Sequence, residues 1–342
     1  MGTIKVLVVD DSPVFREFLV RGLNTDPGIE VVGVAENPYE ARDQIIRLKP
    51  DVMTCDIEMP RMNGIEFVQK LIPQYPIPVV MISSLSDKVF DALNAGAVDF
   101  VSKPLSLGRE ELDRFVKMEL IPKVISANCA KVRTFATDNV KSGSSYVNKL
   151  KKEIVIAIGA STGGTEAIYE VIKAFGTNIP GIVVTQHIPP KFSAMFAERL
   201  NKQCTVRCKE AKTGDLVVPG QVLIAPGDKH MRLVKVGNLY QVECKEGERV
   251  NGHCPSVDVL FDSVARTAGA DAIGIILTGM GCDGAKGLLN MRKAGAETIG
   301  QNKETCVVYG MPMEAYKLGA VKHQVALQDV AKKTELLLGR VR

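Results

Sequence analysis

Polar residues that could do chemistry stand at the ends of short apolar runs in the first third of the chain: Asp10 with Asp11, Asp56, Ser83 and Lys103. Three carboxylates brought to one place repel one another unless a hard divalent cation joins them. Mg²⁺ suits such oxygen ligands and keeps coordination positions for water and a phosphoryl oxygen. A carboxylate nucleophile, a metal and an ammonium together make a phosphoryl-transfer set. Asp56 would attack, a cation on Asp10, Asp11 and Asp56 would hold the phosphoryl oxygens, and Lys103 would share that task. Ser83 adds a hydroxyl to the same crevice, and Lys103-Pro104 is a candidate cis peptide that would shape the turn.

A second group lies further on. Gly159-Ala160-Ser161-Thr162-Gly163-Gly164 follows an apolar run, His187 follows the next, and Asp283 follows a third. The glycines allow a tight turn, and a helix opening there offers the N–H groups of Thr162, Gly163 and Gly164 to a developing oxyanion. A hydroxyl is a weak nucleophile alone, so the serine needs a base and the base needs an orienting carboxylate. Ser161, His187 and Asp283 could fill those places. The same glycines also fit a nucleophile elbow, which would recruit Asp283 and His323, but Ser161 follows the first strand of its domain where an elbow needs several before it. A phosphate-binding turn is a further alternative, although the spacing is not G-x-G-x-x-G. His230, after Pro226-Gly227, reads as a packing or substrate-positioning residue.

The elements that must position these groups alternate regularly. Apolar, β-branched runs at Ile4–Val9, Ile29–Ala35, Val52–Cys55, Pro78–Ile82 and Val98–Ser102 read as strands buried on both faces. Helical patterns separate them at Val14–Leu23, Tyr39–Leu48, Gly64–Ile72 and Asp87–Ala95, with a last one from Arg109. Ser12-Pro13 and Asn37-Pro38 set a capping residue before a proline at the first helical position. Five βα units imply a five-stranded parallel sheet with helices on both faces, and acidic groups at the carboxyl strand ends then share one crevice. Residues 123–151, rich in serine and scattered lysine, read as a linker between a domain at 3–122 and another at 152–342. The second domain has its own strands at Ile154–Ile158, Ile182–Thr185 and Ala272–Leu277, so it too reads as doubly wound α/β. Val222–Ile224, Met231–Val236 and Leu239–Cys244, the last two across Gly237-Asn238, read as a β meander inserted in its sheet.

Composition excludes several classes. A chain of 342 residues is long for one core and fits two. A net charge of +4, with no basic run, gives no reason to expect nucleic acid as a partner. The eight cysteines show no secreted framework, and neither Cys204/Cys208 nor His253-Cys254 completes a metal-ligand set, so a reduced, cytoplasmic setting is expected. Ile4–Val9 contains Lys5 and ends in two aspartates, unlike a signal peptide, and Val6 stands where myristoylation needs Ser or Thr. No run approaches the ~20 apolar residues of a membrane span. The absence of a heptad pattern leads us to expect a monomer.

Several motifs resemble a known family. The strand-end pattern of Asp10, Asp11, Asp56, Ser83 and Lys103, with Phe100 at an aromatic switch position, resembles response-regulator receiver domains of flavodoxin-like fold. Gly-Ala-Ser-Thr-Gly-Gly at 159–164, Thr-Gln-His at 185–187 and Ile-Ala-Pro-Gly-Asp-Lys-His at 224–230 are similar to the catalytic domain of chemotaxis protein-glutamate methylesterases. So are Pro-Ser-Val-Asp-Val-Leu-Phe at 255–261, Leu-Thr-Gly-Met-Gly-x-Asp-Gly-Ala at 277–285 and Gly-Met-Pro at 310–312. The resemblance implies a Ser161–His187–Asp283 triad and an oxyanion-binding Met280. It further implies an esterase that needs no cofactor, and phosphorylation at Asp56, with Mg²⁺, by a chemotaxis histidine kinase. The implied substrates are glutamyl methyl esters, and in many members glutamines, on methyl-accepting chemoreceptors. A serine esterase for another substrate, or a regulator whose second domain only binds a partner, are the alternatives.

Overall fold

A computed structural model describes residues 2–84, 88–104, 108–132 and 154–339. Two compact units divide the chain, Met1–Asp138 and Asn139–Arg342.

The N-terminal unit alternates strictly: β1 (Ile4–Val9), α1 (Pro13–Leu23), β2 (Ile29–Ala35), α2 (Pro38–Leu48), β3 (Val52–Asp56), α3 (Gly64–Leu71), β4 (Val79–Ser83), α4 (Val89–Asn94), β5 (Asp99–Ser102), α5 (Arg109–Phe115). The strands form one parallel sheet in the order β2-β1-β3-β4-β5. Their near-continuous apolar sequences reflect burial on both faces; β3 and β4 are buried at every position. Side-chain caps start three helices: Ser12, Asn37 and Asn63 accept from N–H groups in the first turns of α1, α2 and α3. Each such cap is worth about 1 kcal/mol.

The helix after β5 overrides part of the linker reading. It continues through a π-type stretch, Val116–Leu120, into α6 (Ile121–Asn128), where Val124 and Ala127 are buried. Lys123 of α6 donates to both carboxylate oxygens of Asp99 at 2.8 Å. Residues 123–128 are therefore helix packed on the first unit. Buried Leu120, Val124 and Ala127 stand four and three residues apart, a helical spacing that continues the preceding helix. The rest of the expected linker, from residue 133 to 151, lies outside the described residues.

The C-terminal unit runs β6 (Val155–Ala160), α7 (Gly164–Lys173), β7 (Gly181–Gln186), α8 (Phe192–Gln203), β8 (Arg207–Glu210), β9 (Gln221–Ile224), β10 (His230–Val236), β11 (Leu239–Lys245), α9 (Val257–Thr267), β12 (Ala272–Ile276), α10 (Ala285–Lys293), β13 (Glu297–Gln301), α11 (Met311–Lys317), β14 (His323–Val325), α12 (Val330–Leu338). Seven strands make a parallel sheet in the order β14-β13-β12-β6-β7-β9-β8. Its first strand, β6, lies in the middle, and the chain winds outward to either side. The carboxyl edge at β6 is thus the switch point where such sheets open a crevice.

The meander is a correction. β9 pairs in parallel with β7 and β8, whereas β10 and β11 form a separate antiparallel pair. The hairpin finds its partners elsewhere: Ser263 Oγ of α9 accepts from Leu233 N–H at 2.8 Å, and Thr267 Oγ1 donates to Leu233 O at 3.1 Å. Met231, Leu233, Tyr240 and Val242 join Val257, Leu260, Phe261 and Val264 in one apolar cluster. With backbone groups bonded to α9 and an apolar face buried on it, the hairpin needs no place in the sheet. Among the described residues no helix is long and apolar enough to cross a membrane.

Candidate active site

In the N-terminal unit, Asp10 follows β1, Asp56 and Ser83 end β3 and β4, and Lys103 follows β5. Asp10 and Asp56 are buried and Asp11 is exposed, and one oxygen from each of the three lies within 4.8 Å of the others. Lys103 Nζ sits 2.9 Å from Asp10 Oδ2 and also pairs with Asp56 Oδ2. Burial outweighs that ammonium at Asp56 and, helped by the Asp10 charge, pushes its pKa up to about 6. Burial disfavours the Lys103 charge, but the two carboxylates outweigh it and raise its pKa. Asp10 Oδ1 accepts from Ser12 N–H at 2.9 Å, whereas the buried Oδ2 has no aligned hydrogen bond. An all-oxygen donor set with an unaligned buried oxygen fits a hard divalent cation. Ser83 Oγ is buried at the same edge and donates to Ser84 O at 3.3 Å. Phe100 is turned inward, edge-on to Phe90 with ring centroids 6.2 Å apart. The cis peptide among the described residues is Cys254–Pro255, so the Lys103-Pro104 expectation is corrected: that bond keeps the trans form X–Pro ordinarily prefers.

In the C-terminal unit, Ser161, His187 and Asp283 follow β6, β7 and β12, three neighbours in the sheet. His187 Nδ1 lies 3.0 Å from Ser161 Oγ, and His187 Nε2 lies 2.8 Å from Asp283 Oδ2. All three are buried. Their distances place a hydroxyl, a base and a carboxylate in series.

Backbone bonds fix the serine. Ser161 N–H donates to Thr278 O at 3.0 Å, and Ser161 O accepts from Gly164 N–H at 2.7 Å and Gln186 Nε2 at 2.8 Å. Gly163 holds φ +73°, the left-handed conformation that glycine tolerates, and no side chain caps α7. The Gly164 N–H is spent inside the turn, so Gly164 supports the serine and is withdrawn as an oxyanion donor. Thr162 is buried beside it, and its carbonyl accepts from Thr278 Oγ1 at 3.0 Å. Half-buried Met280 lies in a segment pinned by Gly279 N–H to Val308 O at 3.0 Å and by Met311 N–H to Gly279 O at 2.8 Å.

Asp283 accepts five hydrogen bonds. Oδ2 takes His187 Nε2 and Val257 N–H; Oδ1 takes Asn251 Nδ2 at 2.8 Å, Ser256 Oγ at 2.7 Å and Asp258 N–H at 3.2 Å. Burial opposes its charge, but His187, Asn251 and Ser256 outweigh burial and hold the carboxyl well below the usual range. His230 is structural: Nδ1 accepts from Ser256 N–H at 3.2 Å and Nε2 lies 2.8 Å from Glu248 O. His323 sits on β14 at the sheet edge, paired with Glu297 at 2.9 Å, which removes the elbow alternative.

Residues 156–334 match the CheB methylesterase family, and residues 6–116 match the response regulator receiver domain. A protein-glutamate methylesterase/protein-glutamine glutaminase of Syntrophomonas wolfei is 56% identical over 340 residues, 99% of this chain and 98% of that protein. The chain belongs to the CheB methylesterase family. A counterpart in Syntrophotalea carbinolica is 49% identical over 99% of both chains. The Thermotoga maritima CheB methylesterase catalytic domain, solved as a crystal structure, aligns with 54% of this chain and 99% of its own at 35% identity, with a TM-score of 0.53.

Sequence reasoning missed several residues of this CheB site. Asn251, His253 and Ser256 all touch the His187–Asp283 pair. Ser256 was open to discovery as an N-cap, since it precedes the α9 pattern and accepts from Val259 N–H. Asn251-Gly252 carries the dipeptide signature of a tight hairpin turn. Gln186 offers no such signal, because nothing local says where a buried amide points.

Proposed function

We propose that this chain is a protein-glutamate methylesterase governed by phosphorylation of its receiver domain. The carrying observation is His187, bonded on one side to Ser161 and on the other to Asp283. His187 Nδ1 takes the hydroxyl proton as Ser161 Oγ attacks the ester carbonyl of a glutamyl side chain, and Asp283 stabilises the resulting imidazolium. Backbone N–H groups near Met280 and in the Thr162-Gly163 turn that precedes α7 receive the charge on the tetrahedral oxygen. The C–OCH₃ bond breaks, Nδ1 returns its proton to the departing methoxide, and methanol leaves an acyl-Ser161 ester. Water, deprotonated by His187, then cleaves that ester and frees the glutamate. Glutamine follows the same course with ammonia leaving, as the names of the relatives imply for those proteins.

On the receiver, Asp56 is the phosphate acceptor. A Mg²⁺ ion bound by Asp10, Asp11 and Asp56 would shield the negative charge of the incoming phosphoryl group. Lys103 holds a phosphoryl oxygen, and Ser83 and Phe100 respond to the new charge. A histidine kinase coupled to methyl-accepting chemoreceptors supplies the phosphoryl group, and those receptors are the substrate. On this reading the protein works as a cytoplasmic monomer.

Methanol release from methylated chemoreceptor membranes tests the proposal, with and without acetyl phosphate and Mg²⁺. Release should vanish in Ser161→Ala, rise with phosphodonor, and lose only that rise in Asp56→Asn. No release from wild type would point to an esterase for another substrate, and release by Ser161→Ala would refute the triad.

A further inference from the structure

We propose that the turn Val250–His253 is a positioning clamp for the general base and its carboxylate, with Asn251 and His253 as its working residues. The inference rests on the reading of His187 as the base. Val250 and His253 exchange both backbone hydrogen bonds, at 3.0 and 2.9 Å, and Asn251 and Gly252 between them have φ +53° and +82°. This is a two-residue hairpin turn with both central residues left-handed. Its backbone is complete without any side chain, yet two of its side chains reach the site.

The first is Asn251. It is exposed as a residue, but its amide reaches inward, and one nitrogen donates to Asp283 Oδ1 and to Asp258 Oδ2, each at 2.8 Å. An amide NH₂ has two protons, and here each serves a different carboxylate. Asp258, in the first turn of α9, also accepts from Gly287 N–H at 2.7 Å; burial, with the Asp283 charge adding to it, raises its pKa. The amide thus stands as a neutral donor between two carboxylates that would otherwise repel. Asp283 presents Oδ2 to His187, and Asn251 holds the other oxygen, together with Ser256 Oγ and Asp258 N–H. Pinning Oδ1 fixes the rotation of the carboxylate and so aims Oδ2. Asparagine is also the side chain, after glycine, that best tolerates the left-handed backbone. Aspartate would fit that backbone but bring a third negative charge and no donor.

The second is His253. Its ring lies flat on His187, with centroids 3.6 Å apart and planes within 12°. A flat neighbour restricts tilt of the imidazole while leaving both nitrogens of His187 in the plane of their partners. The charged and titratable groups in contact with this clamp include Asp258 on α9, Asp283 before α10, His187 after β7 and Arg249 beside the turn, whose Nη1 donates to Gly252 O at 3.4 Å.

The test uses the full chain, methylated receptor membranes, and a fluorophosphonate that labels the nucleophilic serine without needing receptor recognition. Asn251→Gly keeps the left-handed backbone and removes only the amide. It should lower kcat and the labelling rate about tenfold or more with KM near wild type. Asn251→Asp should lose more, and the acid limb of its kcat/KM profile should move to higher pH, because the added charge stabilises the imidazolium. A purely structural change would not move that limb. His253→Phe, which keeps a flat ring, should retain most of the rate that His253→Ala loses. Wild-type labelling rates in both Asn251→Gly and His253→Ala, with Ser161→Ala unlabelled, would overturn the clamp and leave the triad standing. Labelling of Ser161→Ala at the wild-type rate would instead overturn the triad reading beneath it.

Discussion

Gly164→Ala should damage the esterase unit through a single contact chain. A Cβ built on Gly164 would stand 2.1 Å from Gln186 Oε1 and 2.7 Å from the Ala160 methyl. Neither gap admits a carbon, so the Gln186 amide must swing away. Gln186 is buried, and its Nε2 supplies one of the two hydrogen bonds on the Ser161 carbonyl. Overpacking of this kind costs about 1–3 kcal/mol, and the lost amide bond adds about 1. The sum, roughly 2–4 kcal/mol, corresponds to a fall of about 5–15 °C in the melting of a domain this size. Activity should suffer beyond stability, since displacing a nucleophile by about 1 Å can cost a hundredfold. The assay is a double-mutant cycle with Gln186→Ala, read by calorimetry and by fluorophosphonate labelling of the folded enzyme. Removing the Gln186 amide makes room for the new methyl, so the double variant should be less destabilised than the sum of the singles. The clash with Ala160 should remain. Strict additivity, or a Gly164→Ala enzyme that melts and labels like wild type, would refute the reasoning.

Three more perturbations have defined outcomes. Asp283 has a folded pKa held below its usual value, so its charge stabilises the fold above the unfolded pKa of about 3.9 and that gain fades as pH falls toward the folded value; Asp283→Asn should melt lower than wild type at pH 7, with the gap narrowing below about pH 4. Lys123→Met leaves the largely buried Asp99 carboxylate without its two 2.8 Å bonds, and should cost the receiver unit about 3 kcal/mol in urea unfolding, while Asp99→Asn added to it should restore part of the loss. Thiol labelling of the native protein should mark exposed Cys129 and Cys282 quickly but reach Cys55, Cys208 and Cys306 only on unfolding, since these are buried and burial pushes the Cys208 thiol up to about 12.

Much of the architecture was legible because it rests on local patterns. Buried parallel strands read as apolar runs at Ile4–Val9, Val52–Cys55 and Ile154–Ile158, against observed strands Ile4–Val9, Val52–Asp56 and Val155–Ala160, and caps such as Ser12 and Asn37 mark where helices begin. Candidate reactive residues were legible in part, since side chains beyond the strands of a parallel sheet share one edge: Ser161 and His187 each stand one residue past a strand and Asp283 seven, and the resemblance to methylesterase catalytic domains chose among the alternatives. Short strands with mixed composition were not legible: β8 is Arg-Cys-Lys-Glu and β14 only His-Gln-Val, and both are strands because neighbours offer them a free edge.

What the sequence determined by itself was therefore periodicity, punctuation and a set of candidate reactive groups, all read from residues near one another in the chain. Tertiary structure alone decided how those groups are held. The strand order puts β6 between β12 and β7, α9 draws the β10–β11 hairpin away from the sheet, and the Asn251 amide meets carboxylates 7 and 32 residues further along. Such bonds depend on directions and distances fixed only when separate elements pack, because a buried donor takes whichever acceptor the fold brings within about 3 Å.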